Sequence, residues 1–403
     1  MNVLLLEGIH PVAEQALVQA GHTVRRVAGA LKEDELIAQL EGVQLLGIRS
    51  KTNVTKKVLE SAHAKSLLSV GAFCIGTNQI ALDEAMKRGV AVFNAPFSNT
   101  RSVAELVIAE IIMLSRELGD RDIEMHQGVW KKTASGSHEV RGKTLGVVGY
   151  GHIGTQVGIL AEFFGMRVIF YDVTSKLPLG NTQVAGSLDA LLEQSDFVTL
   201  HVPETPQTRM MIGSEQLARM KKGACLINAS RGTVVDIEAL AEAIKRGHLH
   251  GAAVDVYPDE PESSDTRGFK TPLQNLHNVI LTPHIGGSTL EAQENIGREV
   301  ASSLIRYADS GATTGSVNFP GVELGRSPRT WRLTHVHQNV PGVLRDVNRV
   351  IGDAGANIHA QLLSTNADIG YLMIDLDSEA SEQVVAGLKK LPTTIHARTV
   401  SGI

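Results

Sequence analysis

The chain of 403 residues has little cysteine, no long apolar run and no excess of positive charge. Its two cysteines, Cys74 and Cys225, form neither a C-x-x-C pair nor a zinc-ligand spacing, so we expect ordinary buried thiols in a reducing compartment and no metal site. Its apolar stretches are shorter than the roughly 18 residues of a membrane-spanning helix. The formal net charge of −5 argues against nucleic acid as the main partner. These absences predict a cytoplasmic protein that contacts neither membranes nor nucleic acids.

Strand-like and helix-like segments alternate through the first 100 residues. The opening residues, Met1–Glu7, lack a charged leader and a cleavage site, so they predict a first strand rather than an export signal. Alternation of this kind predicts a parallel sheet with helices on both faces. A long, mostly apolar helix is predicted from about Ser102 to Met125, where it would bridge two domains or pack against another subunit. The alternation then resumes to about residue 285, which predicts a second sheet of the same kind.

The C-terminal part of the chain follows a different pattern. Residues 288–310 predict a helix that returns to the first domain, and residues 317–328 predict a linker punctuated by glycine and proline. The remaining residues predict the order βαββαβ, which is the ferredoxin-like plan, with Pro341 opening the first helix. We therefore predict an α/β protein with two doubly wound parallel sheets, Rossmann-like or flavodoxin-like, and a small regulatory domain. The predicted boundaries are 1–100 with 286–316 for the substrate-binding domain, 101–285 for the nucleotide-binding domain, 317–328 for the linker and 329–403 for the regulatory domain.

A glycine-rich motif, Gly149-Tyr150-Gly151-His152-Ile153-Gly154, lies between a predicted strand and a predicted helix. In this setting Gly149 permits a tight turn, Gly151 lets the backbone approach a pyrophosphate, and Gly154 lets the helix pack on the strand. The helix N-terminus adds N–H groups and a partial positive charge for the phosphates. Asp172 ends the next strand, where a carboxylate can bind the ribose hydroxyls of NAD and repel the extra phosphate of NADP. The motif predicts an NAD site, and a glycine turn without a ligand is the alternative.

Three polar residues follow predicted strands of the same domain, namely Arg231, Glu260 and His284. Reduction of a 2-oxo acid requires such a set. A guanidinium can clamp the substrate carboxylate with two parallel hydrogen bonds, and an imidazole can donate the proton to the carbonyl oxygen. A carboxylate beside the imidazole raises its pKa. Each residue also has an ordinary explanation, as a helix-end cation, an exposed loop acid or a core histidine.

These motifs resemble those of the D-isomer-specific 2-hydroxyacid dehydrogenase family over about the first 315 residues. The motifs are the glycine fingerprint with Asp172, His201-Val202-Pro203, Asn228-Ala229-Ser230-Arg231-Gly232, Asp259-Glu260-Pro261 and Pro283-His284-Ile285-Gly286-Gly287. The resemblance implies that Arg231, Glu260 and His284 form the catalytic set. It implies NAD binding by Gly149, Gly151, His152, Ile153, Gly154, Asp172, His201, Pro203, Ala229, Ser230, Arg231, Asp255, His284, Ile285, Gly286 and Gly287.

Three further segments, 71–78, 93–105 and 317–320, resemble those members of the family that carry a C-terminal ACT domain. This resemblance implies NAD-dependent oxidation of D-3-phosphoglycerate to 3-phosphohydroxypyruvate, the entry to L-serine biosynthesis, in a homotetramer. A basic-Ser-basic triplet ends a predicted strand and would bind the phosphate, although an exposed surface pair is the alternative. The implied substrate-binding residues are Arg49, Ser50, Lys51, Gly71, Asn99 and Arg231. Trp130 and Lys132 resemble a loop that reaches the site from another subunit.

The predicted C-terminal domain resembles ACT domains that bind an amino acid. His337, Asn339 and Asn357 would hold L-serine between two paired subunits, although the asparagines could instead cap a helix and a turn. Relatives often carry a basic residue where this chain has Val340, a change that would weaken inhibition or alter which amino acid binds. Two other functions stay open. One is reduction of a different 2-oxo acid such as 2-oxoglutarate, glyoxylate or hydroxypyruvate, and the other is a non-catalytic NAD-sensing corepressor, against which the intact catalytic set argues.

Overall fold

The computed structural model describes residues 1–261, 267–325, 329–377 and 381–400. The chain forms two compact units, and these consist of Met1–Ser98 with Gln293–Ile403, and of Asn99–Ala292. Some of the predicted linker and of the predicted regulatory domain lies outside the described residues, namely 326–328, 378–380 and 401–403. The domain boundaries expected from the sequence, with the functions attached to them, stay a prediction.

The first unit begins with a five-stranded parallel sheet in the order β2-β1-β3-β4-β5, which is the flavodoxin-like order. Pro11 occupies the first turn of α1, where its missing N–H costs nothing, and His10 Nδ1 accepts a hydrogen bond from the Val12 N–H at 3.3 Å. Most residues of these strands are buried, whichever face of the sheet they lie on, as the continuous apolar runs predict. The elements are β1 (Asn2–Leu5), α1 (Pro11–Gln19), β2 (Thr23–Arg26), α2 (Glu33–Gln39), β3 (Leu45–Ile48), α3 (Lys56–Glu60), β4 (Ser69–Ala72), α4 (Leu82–Lys87) and β5 (Ala91–Asn94).

The second unit contains a seven-stranded parallel sheet in the order β12-β11-β10-β9-β6-β7-β8. The order reverses between β6 and β9, and ligands bind at such a switch point, outside the carboxyl ends of the strands. The elements are α5 (Thr100–Arg116), α6 (Leu118–His126), β6 (Thr144–Val148), α7 (His152–Phe163), β7 (Arg167–Tyr171), β8 (Gln183–Val184), α8 (Leu188–Gln194), β9 (Phe197–Leu200), α9 (Ser214–Arg219), β10 (Cys225–Asn228), α10 (Ile237–Lys245), β11 (Gly251–Val254) and β12 (Val279–Leu281).

The single long helix predicted over residues 102–125 is wrong, because the structure has the two helices α5 and α6 there. Glu117 separates them with a left-handed backbone, φ 49°. Asn278 Nδ2 donates to the Leu114 carbonyl at 3.1 Å and so satisfies a group that a continuing helix would use. This partner is distant in the sequence, so local periodicity gave no sign of the break. The apolar face of α5 packs on α7 in the core of the second unit.

The C-terminal sheet is antiparallel, with the order β14-β15-β13-β16. Together with two helices it completes the βαββαβ plan, so this part of the fold prediction is confirmed. The first of these helices does not open at Pro341, because Gly342 has φ 92° and the helix starts only after it. The elements are α11 (Leu290–Ser310), β13 (Trp331–Gln338), α12 (Val343–Asp353), β14 (Ile358–Thr365), β15 (Ile369–Leu376), α13 (Ser381–Leu388) and β16 (Thr394–Val400).

Within the first unit, the C-terminal sheet shares a hydrophobic core with the parallel sheet. The Phe319 and Tyr371 rings lie 5.6 Å apart, and the Tyr371 hydroxyl donates to the Gly311 carbonyl at 2.6 Å. The Arg332 guanidinium pairs with the Asp375 carboxylate at 2.7 Å, and both groups are buried. This pair joins β13 to β15 within the C-terminal sheet, and Arg332 also donates to the carbonyls of Leu324 at 2.9 Å and Gly325 at 2.7 Å. A buried pair is costly to break from one side.

The two cysteines have different surroundings. Cys225 is buried and its pKa is raised to about 12 by burial, whereas Cys74 is only half-buried, so the expectation of two buried thiols is wrong for Cys74. Cys74 follows β4 in a loop, where Gln79 Nε2 donates to its sulfur at 3.3 Å. Across the part of the chain that the structure describes, no helix has both the length and the apolarity needed to cross a membrane.

Candidate active site

The glycine motif forms the turn between β6 and α7, and its three glycines have three different surroundings. Gly149 has φ 90°, and a Cβ there would overlap the His201 carbonyl. A Cβ on Gly154 would overlap the Gly149 carbonyl, so only glycine lets α7 approach the turn so closely. A Cβ on Gly151 would meet nothing within 4 Å. The space beside Gly151, at a helix start without a side-chain cap, suits a pyrophosphate.

Asp172 follows β7, the strand beside β6, and it holds the glycine turn. Its Oδ2 accepts a hydrogen bond from the Tyr150 N–H at 2.9 Å, and its Oδ1 accepts from the N–H and hydroxyl of Thr174, both at 2.9 Å. Burial opposes the charge of Asp172, but these hydrogen bonds outweigh it and keep the pKa below its ordinary value. Asp172 is therefore an ionised acceptor beside the glycine turn.

His201 follows β9, across the switch point from the glycine motif. Its Nε2 contacts the Thr199 hydroxyl at 3.0 Å, while its buried Nδ1 has no hydrogen-bond partner among the described residues. Burial lowers the pKa of His201 to about 3, so the ring is neutral. Pro203 lies two residues later, with its carbonyl accepting from the Thr208 hydroxyl at 2.7 Å. Nδ1 is therefore a buried polar atom that the described residues leave unsatisfied.

Arg231 ends a tight turn that follows β10. The buried Asn228 side chain shapes this turn, because its Oδ1 accepts from the Ser230 N–H and hydroxyl at 3.1 and 2.9 Å, and its Nδ2 donates to the Arg231 carbonyl at 3.0 Å. Ala229 occupies the same turn. Gly232 comes next, and a Cβ there would overlap the Tyr257 carbonyl group. The glycine thus lets the Arg231 turn pack directly against the loop that carries Glu260.

His284 and Glu260 form a hydrogen-bonded pair, with His284 Nδ1 2.7 Å from Glu260 Oε2. The bond to Glu260 is the main reason that the pKa of His284 is raised above its ordinary value. Burial opposes the charge of Glu260, but the bond to His284 and the charge of Arg231 keep its pKa below the ordinary value. The Arg231 charge also lowers the pKa of His284, so this charge acts on both members of the pair.

Asp255 orders the loop that carries His284. Its buried carboxylate accepts hydrogen bonds from the Thr282 hydroxyl at 2.7 Å, and from the N–H groups of Ile285 and Gly286, both at 2.8 Å. His284 itself has a left-handed backbone, φ 55°, which side chains with a Cβ rarely adopt. Strain of that kind persists where neighbours fix it. The hydrogen bonds to Asp255 hold this backbone in place. The contact of Asp255 with NAD that the sequence suggested stays a prediction.

Sequence reasoning missed Glu110, a buried acid on α5. Neither of its carboxyl oxygens has a hydrogen-bond partner among the described residues. Burial, followed by the charge of Asp255, raises the pKa of Glu110 to about 8, so its carboxyl group is neutral near pH 7. The signal was present in the sequence, because position 110 lies three residues after Val107 and seven after Val103, on the buried face of the helix.

The predicted substrate residues lie in both units. Arg49, Ser50 and Lys51 follow β3 in the first unit, at the carboxyl end of the strand. Gly71 lies inside β4, where a Cβ would come within 2.7 Å of Val300, so close packing by α11 already explains the glycine. In the second unit, Asn99 precedes α5, its side chain contacts Gly287, and its Oδ1 has no partner among the described residues. None of these contacts tests the predicted substrate roles.

Trp130 and Lys132 lie in a segment of the second unit without helix or strand, and the Trp130 side chain is 79% exposed. The segment follows α6, and this helix carries the exposed apolar side chains Leu118, Ile123 and Met125. Large exposed apolar side chains within one stretch of the chain are typical of a contact surface.

The predicted effector residues lie at two ends of the C-terminal sheet. Asn339 follows β13, and its Nδ2 donates to the Asn366 carbonyl at 2.7 Å, at the turn before β15. Asn357 precedes β14, and its N–H donates to Asp377 at 3.0 Å, beyond the far end of β15. Strand β15 has eight residues, so about 25 Å separates the two ends. His337 is buried in β13, with Nδ1 near the Gln338 carbonyl and Nε2 unpaired among the described residues.

Comparison with known proteins agrees with this fold. Residues 108–286 match the NAD-binding domain of D-isomer specific 2-hydroxyacid dehydrogenases, and residues 333–396 match an AHAS small subunit-like ACT domain. The crystal structure of D-lactate dehydrogenase from Aquifex aeolicus, complexed with NAD and lactic acid, superposes with a TM-score of 0.68 at 30% identity, covering 79% of this chain and 100% of that one. The chain belongs to the D-isomer-specific 2-hydroxyacid dehydrogenase family, as the sequence motifs indicated.

Two curated relatives match almost the whole length of the chain, and both are D-3-phosphoglycerate dehydrogenases. The one from Dictyostelium discoideum is 52% identical over 400 residues, and the one from Escherichia coli is 51% identical over 405. Each alignment covers 99% of this chain and 97% of the relative. The correspondence therefore includes the C-terminal ACT domain.

The residues of the second unit fit a bound NAD. The glycine turn has open space at Gly151, Asp172 is ionised beside it, and two polar atoms, His201 Nδ1 and Asn99 Oδ1, lack partners among the described residues. The described residues hold no group of three or more His, Cys, Asp or Glu side chains that could bind a metal ion. The second unit is an NAD-binding domain.

Proposed function

We propose that this chain catalyses the NAD-dependent oxidation of D-3-phosphoglycerate to 3-phosphohydroxypyruvate, the entry to L-serine biosynthesis. The observation that carries the proposal is the 2.7 Å contact between His284 and Glu260, on which the charge of Arg231 also acts. The contact occurs in a chain that is 52% identical to a D-3-phosphoglycerate dehydrogenase. The intact set of Arg231, Glu260 and His284 argues against a non-catalytic NAD sensor.

In this proposal, bound NAD supplies the hydride acceptor, and the residues proposed to hold it are those at the glycine turn, Asp172, His201, the Arg231 turn and the 284–287 loop. Arg231 binds the substrate carboxylate through paired hydrogen bonds. His284 accepts the proton from the oxygen of the substrate hydroxyl as the hydride leaves the carbon that bears that hydroxyl. Glu260 stabilises the imidazolium that results, since its negative charge favours the protonated ring. In the reverse direction His284 returns the proton to the carbonyl oxygen.

The phosphate of the substrate is assigned to the Arg49-Ser50-Lys51 segment, which offers two cations and a hydroxyl. Gly71 and Asn99 keep their proposed substrate contacts. The same cations suit the distal carboxylate of 2-oxoglutarate, so reduction of that acid is the second candidate activity.

Regulation and assembly are further parts of the proposal. L-Serine is the proposed effector, held by Asn339 and His337 of one subunit and Asn357 of another, because about 25 Å separates the two asparagine positions within one chain. The proposed assembly is a cytoplasmic homotetramer. The exposed Trp130 supports a subunit contact near α6.

Steady-state reduction with NADH tests the proposal, with 3-phosphohydroxypyruvate and 2-oxoglutarate compared under the same conditions. We expect a clear preference for the phosphorylated acid in kcat/KM. The variant His284→Ala should lose roughly 10²–10⁴-fold in turnover, the usual contribution of a general acid–base group, while NADH still binds. A wild-type turnover in that variant, or no preference for the phosphorylated acid, would contradict the proposal.

A further inference from the structure

Glu7 lies two residues after β1, and its carboxylate holds the main chain of a neighbouring loop. Its Oε1 accepts hydrogen bonds from the N–H groups of Arg49 at 3.1 Å and Thr52 at 2.9 Å, and its Oε2 accepts from the Lys51 N–H at 3.0 Å. Strands β1 and β3 are parallel neighbours, with Leu5 opposite Gly47, so their carboxyl ends bring Glu7 beside this loop. One carboxylate thus fixes three N–H groups of the segment Arg49–Thr52.

The backbone of Glu7 has a conformation that a glutamate rarely adopts. Its φ is 59°, in the left-handed region, and Gly8 has the same φ. Neighbouring main chain fixes this turn, because the Glu7 N–H donates to the Gly29 carbonyl at 3.2 Å and the Leu6 N–H donates to the Gly47 carbonyl at 2.9 Å. Unusual conformations persist where the surroundings determine them and are frequent near functional sites.

Other contacts complete the attachment of the loop. Gln79 Nε2 donates to the Arg49 carbonyl at 2.7 Å, and the buried Thr52 hydroxyl accepts from the Leu31 N–H at 3.4 Å. The segment is therefore held through its main chain from several sides. Hydrogen bonds to a charged acceptor are stronger than neutral ones, so the Glu7 carboxylate is the main constraint on where the side chains of Arg49 and Lys51 originate.

We propose that Glu7 is a positioning residue for recognition of the substrate phosphate. It orders the main chain of the Arg49–Thr52 loop through three hydrogen bonds, so binding of the phosphate by the loop's cations costs less entropy than it would from an unordered loop. Glu7 does not itself contact the anion, since two negative charges repel. This inference depends on the proposed function, because it assumes that the substrate carries a phosphate and that the Arg49-Ser50-Lys51 segment binds it.

Two substitutions of Glu7 remove its hydrogen bonds to the loop to different extents. In Glu7→Gln the amide has one acceptor oxygen, so at least one N–H of the loop loses its partner, whereas Glu7→Ala removes all three bonds. We expect the KM for 3-phosphohydroxypyruvate to rise about 10-fold and about 100-fold, respectively, with kcat and the KM for NADH within about 2-fold of the unaltered chain. The kcat/KM for hydroxypyruvate, which has no phosphate, should stay unchanged.

Glu41→Gln is the matched control. Glu41 is 77% exposed and lies in the loop before β3, at the amino end of that strand, whereas the Arg49–Thr52 loop follows its carboxyl end. Losing the charge of Glu41 should therefore leave the kinetics with both substrates unaffected. Circular dichroism and thermal unfolding check that each variant is folded, and the Gln variant provides the same comparison if the Ala variant does not fold.

Two results would overturn the inference while the proposed function stands. One is an unchanged KM for 3-phosphohydroxypyruvate in the folded Glu7 variants, and the other is an equal loss of kcat/KM for both substrates, which marks a general structural role. If the unaltered chain shows no preference for the phosphorylated acid over hydroxypyruvate, the proposed function fails, and the inference fails with it.

Discussion

The substitution Asp255→Asn tests whether one buried carboxylate holds the His284 loop in its active geometry. Asparagine has nearly the same size, so the change removes a charge and one acceptor without leaving a cavity. Asp255 accepts from the Thr282 hydroxyl and from the N–H groups of Ile285 and Gly286. The amide has one acceptor oxygen, and whichever way it turns, at least one of the two N–H groups is left without a partner.

A buried donor left unsatisfied costs about 1–3 kcal/mol. If that cost falls on the His284 loop, kcat/KM drops by about 5- to 150-fold, since about 1.4 kcal/mol corresponds to tenfold. The lost negative charge also lowers the pKa of His284, because Asp255 is one of the groups that raise it. The pH at which reduction activity declines should therefore move downward in the variant.

The assay is steady-state reduction of 3-phosphohydroxypyruvate over a range of pH, together with thermal unfolding. Asp236→Asn is the matched control, because Asp236 caps α10 by accepting from the Ala239 N–H at 3.0 Å, and asparagine caps a helix about as well. This control variant also loses one carboxylate charge in the second unit, and we expect little change in its kcat/KM. Unaltered kcat/KM in Asp255→Asn, or an equal loss in both variants, would refute the reasoning.

Two further predictions concern pH. In Glu260→Gln the pKa of His284 should fall, because the bond to Glu260 is the main cause of its elevation. Reduction needs the protonated ring, so its activity should decline at a lower pH than in the unaltered chain; an unmoved pH–rate profile would contradict the role of the pair. Burial lowers the pKa of His335 to about 3 from an ordinary value of 6.5, and repulsion from His337 and His396 adds to the effect when those rings are protonated. The unfolded chain binds more protons between those values, so thermal stability should fall as pH drops through that window, and less so in His335→Gln; equal slopes in the two proteins would be the contrary result.

The proposed catalytic residues were picked out from the sequence, but their arrangement depends on contacts that the sequence did not predict. Arg231, Glu260 and His284 were picked out because each follows a strand in a recognisable motif. Gly232 has no side chain, so the Arg231 turn can pack against the Tyr257 loop that leads to Glu260. Asp255 holds the loop of His284, whose backbone is left-handed. These contacts join segments that are about 25 to 30 residues apart, so periodicity over a few residues could not reveal them.

The sequence by itself determined the alternation of strands and helices, the glycine turn with Asp172, and the βαββαβ plan of the C-terminal domain. Those features follow from local causes, since hydrophobic period and turn chemistry act over a few residues. The tertiary structure alone decided the break at Glu117, the neutral Glu110 and the hold of Glu7 on the Arg49–Thr52 loop. Each of these depends on burial or on a partner far along the chain, because a side chain's charge and hydrogen bonds are set by what packs around it.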